Sequence, residues 1–158
     1  MLRRGASAHA QRAPYAADLQ QVCQLQDQLW LAETLLLREH DNEAESHLNA
    51  ALEMAQAHSR VLLLLQGERL HARLLATRND WPAANALFAR ALDRASSLGL
   101  SLEIARSKAA WGEMALLHAQ APNNGYTLVA EAREALKAHE AGAELEVLMV
   151  TGQGRGRP

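Results

Sequence analysis

The chain is poor in the residues that announce chemistry. It has a single cysteine, Cys23, in 158 residues. No intrachain disulfide can form, and a reducing, cytoplasmic setting is expected. Cys23 falls in an apolar-rich helical stretch, where a buried structural thiol is the expectation. Aromatic residues make up 4% against 49% hydrophobic residues overall. The core is therefore left to Ala and Leu, both strong helix formers. No apolar run approaches 18 residues, which excludes a transmembrane helix. The formal net charge is −2, so no global field draws in DNA, RNA or an anionic membrane, and neither class of partner is expected. Catalytic signatures are missing too: there is no glycine-rich phosphate loop and no GxSxG elbow. The seven histidines do not form the i, i+4 pair with a third ligand that helical zinc sites use. His40 and His47 flank a helix start, and His71 stands alone on a helix. A protein without catalytic activity, metal or cofactor is expected.

What is present is a period. Leu31-Ala32 returns as His71-Ala72 and again as Trp111-Gly112, so the small position advances evenly through 32, 72 and 112. Ala44-x3-Leu48-x2-Ala51 returns at the same spacing as Ala84-x3-Phe88-x2-Ala91. Helical periodicity alternates with short polar breaks, and strand-type alternation is lacking. Six helices are predicted, over about 16–38, 42–57, 59–77, 80–98, 101–119 and 126–140. Asn42-x-x-Glu45 reads as a capping box, Ser59 as the cap of the third helix, and Asp80 as that of the fourth, ahead of Pro82. Gly99 reads as a left-handed helix end. The expected organisation is a disordered basic arm over 1–15 and a helical repeat domain over 16–150. Its repeats span about 16–57, 59–98 and 101–141, with a short capping helix at 145–150 and a flexible tail at 151–158.

The repeated residues have a packing role. Ala32, Ala72 and Gly112 on the first helix of each pair, and Ala44 and Ala84 on the second, permit close crossings; Leu48 and Phe88 fill the gap one turn beyond. The third pair is irregular. Asn124 occupies the slot where a small residue is due, and a shift of about four residues puts Leu128, Ala132 and Ala135 in register. Trp111 reads as core and Trp81 as a cap on its helix pair.

These residues resemble the tetratricopeptide repeat, most closely over 79–92, NDWPAANALFARAL. The resemblance covers about 25–142. The 40-residue spacing exceeds that family's usual 34 and is similar to the long repeats of large bacterial signal-transduction ATPases and maltose-regulator-type transcriptional regulators. It implies an all-α fold of three stacked antiparallel hairpins and a concave groove lined by the first helix of each pair. Groove positions in this register are Gln26, Glu33, Gln66, Arg69, Arg73, Arg106 and Glu113. The implied function is protein–protein interaction, the groove holding a peptide or a partner's helix. Arg69 and Arg73 share a helix face and Arg106 falls beside them, so three guanidiniums can clamp an acidic segment. Glu33, Glu68 and Glu113 stand close enough in register to pair with these arginines instead. The Lys-and-Asn clamp of chaperone-binding members is missing. The alternative is self-association, giving a homodimer through the irregular third repeat and the apolar stretch at 145–150.

Overall fold

A computed structural model describes residues 7–139 of the chain. These residues form six helices: α1 (Ser7–Leu37), α2 (Asp41–Ala57), α3 (Val61–Thr77), α4 (Trp81–Ser97), α5 (Ser101–Leu117) and α6 (Pro122–Ala138). No strand occurs among the described residues, and the fold is an all-α helical repeat arrangement. The capping helix expected at 145–150 and the tail lie outside the described residues. The chain divides into two compact units, Met1–Leu63 and Leu64–Pro158.

The unit of construction is shorter than the repeat. Helices α2 to α6 are each 17 residues long. Glu39, Ser59, Asn79, Gly99 and Ala119, evenly spaced along the chain, all have positive φ, between 51° and 65°. Each ends a helix in the same way. The N–H of the left-handed residue bonds back three residues, and the next N–H bonds back five: Ser59 to Gln56 and Arg60 to Ala55, or Gly99 to Ser96 and Leu100 to Ala95. This pair of bonds satisfies two carbonyls that a helix end leaves without partners. After Glu39, Ser59, Asn79 and Gly99 the next helix starts two residues on, so three residues join successive helices; after Ala119 it starts three residues on.

In the first unit, α1 and α2 form an antiparallel hairpin. Gln21 bonds to His58, the His47 ring to the Gln28 amide oxygen, and Arg60 to Asp18, so residue numbers fall on one helix as they rise on the other. Leu25, Leu29 and Ala32 of α1 are fully buried, as are Ala44, Leu48, Ala51 and Ala55 of α2. In the second unit, Ala72 and Ala76 of α3 join Trp81, Ala84, Leu87 and Phe88 of α4 in one core, which Met114 of α5 completes. The Phe88 ring stacks on Trp111 with centroids 6.0 Å apart, and the Trp111 indole N–H donates to the Asn85 oxygen at 2.9 Å. Trp81 caps its pair edge-on to His118. A further core of Ala105, Leu116, Val129, Ala132 and Leu136 joins α5 to α6.

The small crossing residues Ala32, Ala72, Gly112, Ala44 and Ala84 are all buried, in agreement with the sequence reading. Asp80 caps α4 through the Ala83 N–H, and Gly99 is left-handed, also in agreement. Other expectations are corrected. Helix α6 starts at Pro122, where even spacing from Trp81 of α4 would start it at position 121, so the third repeat carries one extra residue rather than four. The slots of Ala84, Phe88 and Ala91 are filled by Gly125, Val129 and Ala132. Gly125 meets Gly112 at the crossing: a Cβ on Gly112 would lie 2.9 Å from the Gly125 carbonyl oxygen. The extra residue is absorbed in the α5–α6 junction, where Ala121 is a second left-handed residue. Helix α2 starts at Asp41 behind His40, which makes no side-chain cap, so Asn42 stands inside the helix rather than at its N-cap. Ser59 is the left-handed residue of a turn and not an N-cap. The first helix begins at Ser7, inside the segment expected as a disordered arm, where alanines at 8, 10 and 13 favour helix. Cys23 is exposed, not buried, because it lies on the side of α1 away from Leu25 and Leu29.

Candidate functional site

Two glutamates interrupt the buried stripes of the second unit. On α3 the stripe runs Leu65, Glu68, Ala72, Ala76; on α5 Glu103 is buried one turn from Ser107. A buried carboxylate requires partners, because desolvation of the charge otherwise costs several kcal/mol. Each glutamate has two arginines. The Glu103 oxygens accept from Arg69 Nη1 at 2.6 Å and from Arg106 Nη1 at 2.7 Å. Glu68 Oε1 stands 3.2 Å from Arg90 Nη2 and 3.4 Å from Arg94 Nη2, one turn apart on α4. The second Glu68 oxygen is buried and accepts no hydrogen bond from the protein.

A third pair, Arg73 to Glu113, also bridges α3 and α5, but at 3.9 Å. At that distance it is an ion pair without a hydrogen bond. Burial pushes the Glu113 carboxyl above the usual carboxylate range, and the Arg73 charge offsets part of that rise.

The predicted groove residues are thus sorted by the structure. Gln66, Arg73, Arg106 and Glu113 are half-buried on α3 and α5. Gln26 and Glu33 are half-buried on α1, in the other unit. Arg69, expected to be exposed, is buried with 9% of its surface remaining. Arg69 and Arg106 do converge, but on Glu103, so the chain's own carboxylate stands where a partner's is expected from the register. Arg73 faces Glu113 instead. Glu68, expected beside those arginines, pairs across to α4.

Glu103, Arg90 and Arg94 escape the sequence reading. The signal for them is the phase of Glu68 and Glu103: each falls on the apolar stripe of its helix, where a charge implies a counterion on a neighbouring helix. No group of three or more His, Cys, Asp or Glu side chains that could hold a metal occurs among the described residues.

A second surface feature lies on α1. Tyr15, Leu19, Trp30 and Leu37 are exposed, Trp30 to 57% and Leu37 to 75%, and Cys23 is exposed among them. No helix among the described residues is long and apolar enough to cross a membrane.

Comparison of the chain with protein-family models, with curated proteins and with solved structures returned no match.

Proposed function

We propose that the chain is a protein–protein interaction module that holds an acidic peptide or partner helix along the α3–α5 face. Gln66, Arg73, Arg106 and Glu113 are its polar contacts. The observation that supports this reading is that Gln66, Arg73, Arg106 and Glu113, which the register assigns to the groove, all keep part of their surface in solvent on α3 and α5. A partner carboxylate at the half-exposed guanidiniums of Arg73 and Arg106 would gain charge-assisted contacts. Arg69 is excluded from this role by its burial against Glu103. The resemblance to long tetratricopeptide-type repeats points the same way, toward a bacterial signalling or transcriptional regulator.

The test is binding of fluorescent acidic peptides, measured by polarisation. Arg73→Glu should abolish binding and leave the helical circular dichroism unchanged, while Lys137→Glu on α6 should leave binding intact. Failure of all acidic peptides to bind, or equal binding to Arg73→Glu, would remove this reading.

A further inference from the structure

We infer that one slot in each hairpin carries a pairing code, set by charge, through which the first helix accepts its own second helix and rejects that of another hairpin. The slot lies one turn ahead of the small crossing residue: Gln28 before Ala32, Glu68 before Ala72 and Lys108 before Gly112. The contacts concerned run inside the hairpins and not along the α3–α5 face, so this inference and the proposed function stand or fall independently.

Each slot reaches across to the second helix of its own pair, with a different chemistry each time. The Gln28 oxygen accepts from the His47 ring of α2 at 2.7 Å. Glu68 stands 3.2 Å from Arg90 and 3.4 Å from Arg94 of α4. Lys108 donates to Glu131 of α6 at 2.6 Å. With the extra residue ahead of α6 allowed for, Glu131 fills on α6 the place that Arg90 fills on α4, and Ala135 fills that of Arg94. The charges are therefore reversed at equivalent places. An acid on α3 faces bases on α4, and a base on α5 faces an acid on α6. On α2 the same two places hold the uncharged Ala50 and Met54, in the hairpin whose first helix carries the uncharged Gln28.

The apolar contacts of the second unit discriminate less. Both of its hairpins set a small residue at the crossing and a larger apolar one a turn on, Ala84 with Phe88 and Gly125 with Val129, and apolar surfaces of similar size repack readily. Repeat chains misassemble by exchanging such elements between molecules. The short junctions between helices keep α3 from reaching α6 of its own chain, so the exchange to be avoided is with a second chain. In that wrong pairing Glu68 would meet Glu131 and Ala135. The Glu68 side chain keeps only 3% of its surface, so its carboxylate would stand buried, without a cation and beside a second carboxylate. Lys108 against α4 of another chain would meet Arg90 and Arg94. That clash is weaker, because Lys108 and Glu131 keep 28% and 50% of their side-chain surface. Discrimination therefore rests mainly on Glu68, through repulsion from the wrong helix as well as attraction to the right one.

The test compares the full wild-type chain with variants, each refolded from urea at high protein concentration. Products are sized by chromatography with light scattering against the never-denatured wild type. Lys108→Glu with Glu131→Arg keeps opposite charges within α5 and α6 but gives α6 a base that Glu68 can accept. Its melting temperature should match that of the wild type, while each single substitution melts lower. Glu68→Gln removes the buried charge and with it the rejection of α6. The wild type should recover its native species alone. In the double variant and in Glu68→Gln, the fraction of exchanged species of higher mass should rise several-fold, and refolding at low concentration should abolish it. Refolding of either as cleanly as the wild type overturns the code. So does a double variant that melts with or below its single substitutions.

Discussion

Glu103 shows how one buried charge arranges its neighbours. Of its two arginines, Arg69 is nearly as buried as the carboxylate, while Arg106 is half in solvent. The two bonds therefore differ in worth despite similar lengths. Arg69→Ala strands a buried carboxylate and should cost about 3–5 kcal/mol in urea denaturation. Arg106→Ala removes a solvated i, i+3 contact and should cost about 0–1 kcal/mol. Glu113 responds to pH in the opposite sense to an ordinary paired acid. Its carboxyl titrates higher in the folded chain than in the unfolded one, because burial outweighs Arg73. The folded state then binds the proton more tightly, so ionisation of Glu113 destabilises the fold. That penalty is fully present above its folded value and disappears as pH falls below its unfolded value. Glu113→Gln should accordingly gain on wild type near neutral pH and lose that gain through the acid range, as read from denaturation midpoints in a pH series; parallel pH profiles would contradict it. This residue-scale chemistry is half legible in the sequence. Register alone finds Arg69, Arg73 and Arg106. It misses their neighbour Glu103, whose burial shows only when its helical phase is read against Ser107.

At the scale of helices, close approach governs α5 and α6. A Cβ on Gly112 would meet Val129 Cγ2 at 2.8 Å and the Gly125 carbonyl oxygen at 2.9 Å. The methyl of Val129 can turn away, but backbone oxygen cannot, so Gly112→Ala must push the two helices apart. A loss of about 1–3 kcal/mol is expected, with faster amide exchange in α5 and α6. The junctions give a prediction of the opposite sign. Non-glycine residues at left-handed φ cost about 1–2 kcal/mol, and glycine returns part of that as unfolded-chain entropy. Ser59→Gly should therefore raise stability, and Gly99→Ala, which meets no atom within 4 Å, should lower it through the backbone alone. Differential scanning calorimetry of the pair reads both signs. Helix existence and the crossing residues are legible because Ala and Gly recur at fixed spacing. The start of α6 is not, because even spacing leads to Asn124 when the small residue sits one place on, at Gly125. Nor are the left-handed positions at Glu39, Ser59 and Ala119, since those residue types give no sign of the conformation that the helix-end bonds impose on them.

At the scale of the whole molecule, the extensive helix contacts join neighbours in sequence: α1 with α2, α4 with α5, and α5 with α6. Even the buried link between α3 and α5, Arg69 to Glu103, spans only 34 residues. Local topology of this kind loses little loop entropy before contacts form. Refolding after dilution from denaturant is expected within milliseconds or faster, measured by stopped-flow Trp fluorescence; a phase of seconds would point to non-local ordering. The all-helical class is readable from composition and period, whereas the division after Leu63 is not, since it falls inside the unbroken apolar run 61–65 at the start of α3. The evenly spaced turns carry one last consequence, for how such a chain grows. Its structural step is one helix and one reversal, the interval from Glu39 to Ser59 or from Ser59 to Asn79. Duplicating a single step would add a helix pointing the wrong way and exchange the roles of every helix after it. Duplicating two steps adds a hairpin and preserves those roles. The smallest increment that preserves the role of every helix is therefore the helix pair, twice the structural step, and the spacing of the small crossing residues displays the larger of the two.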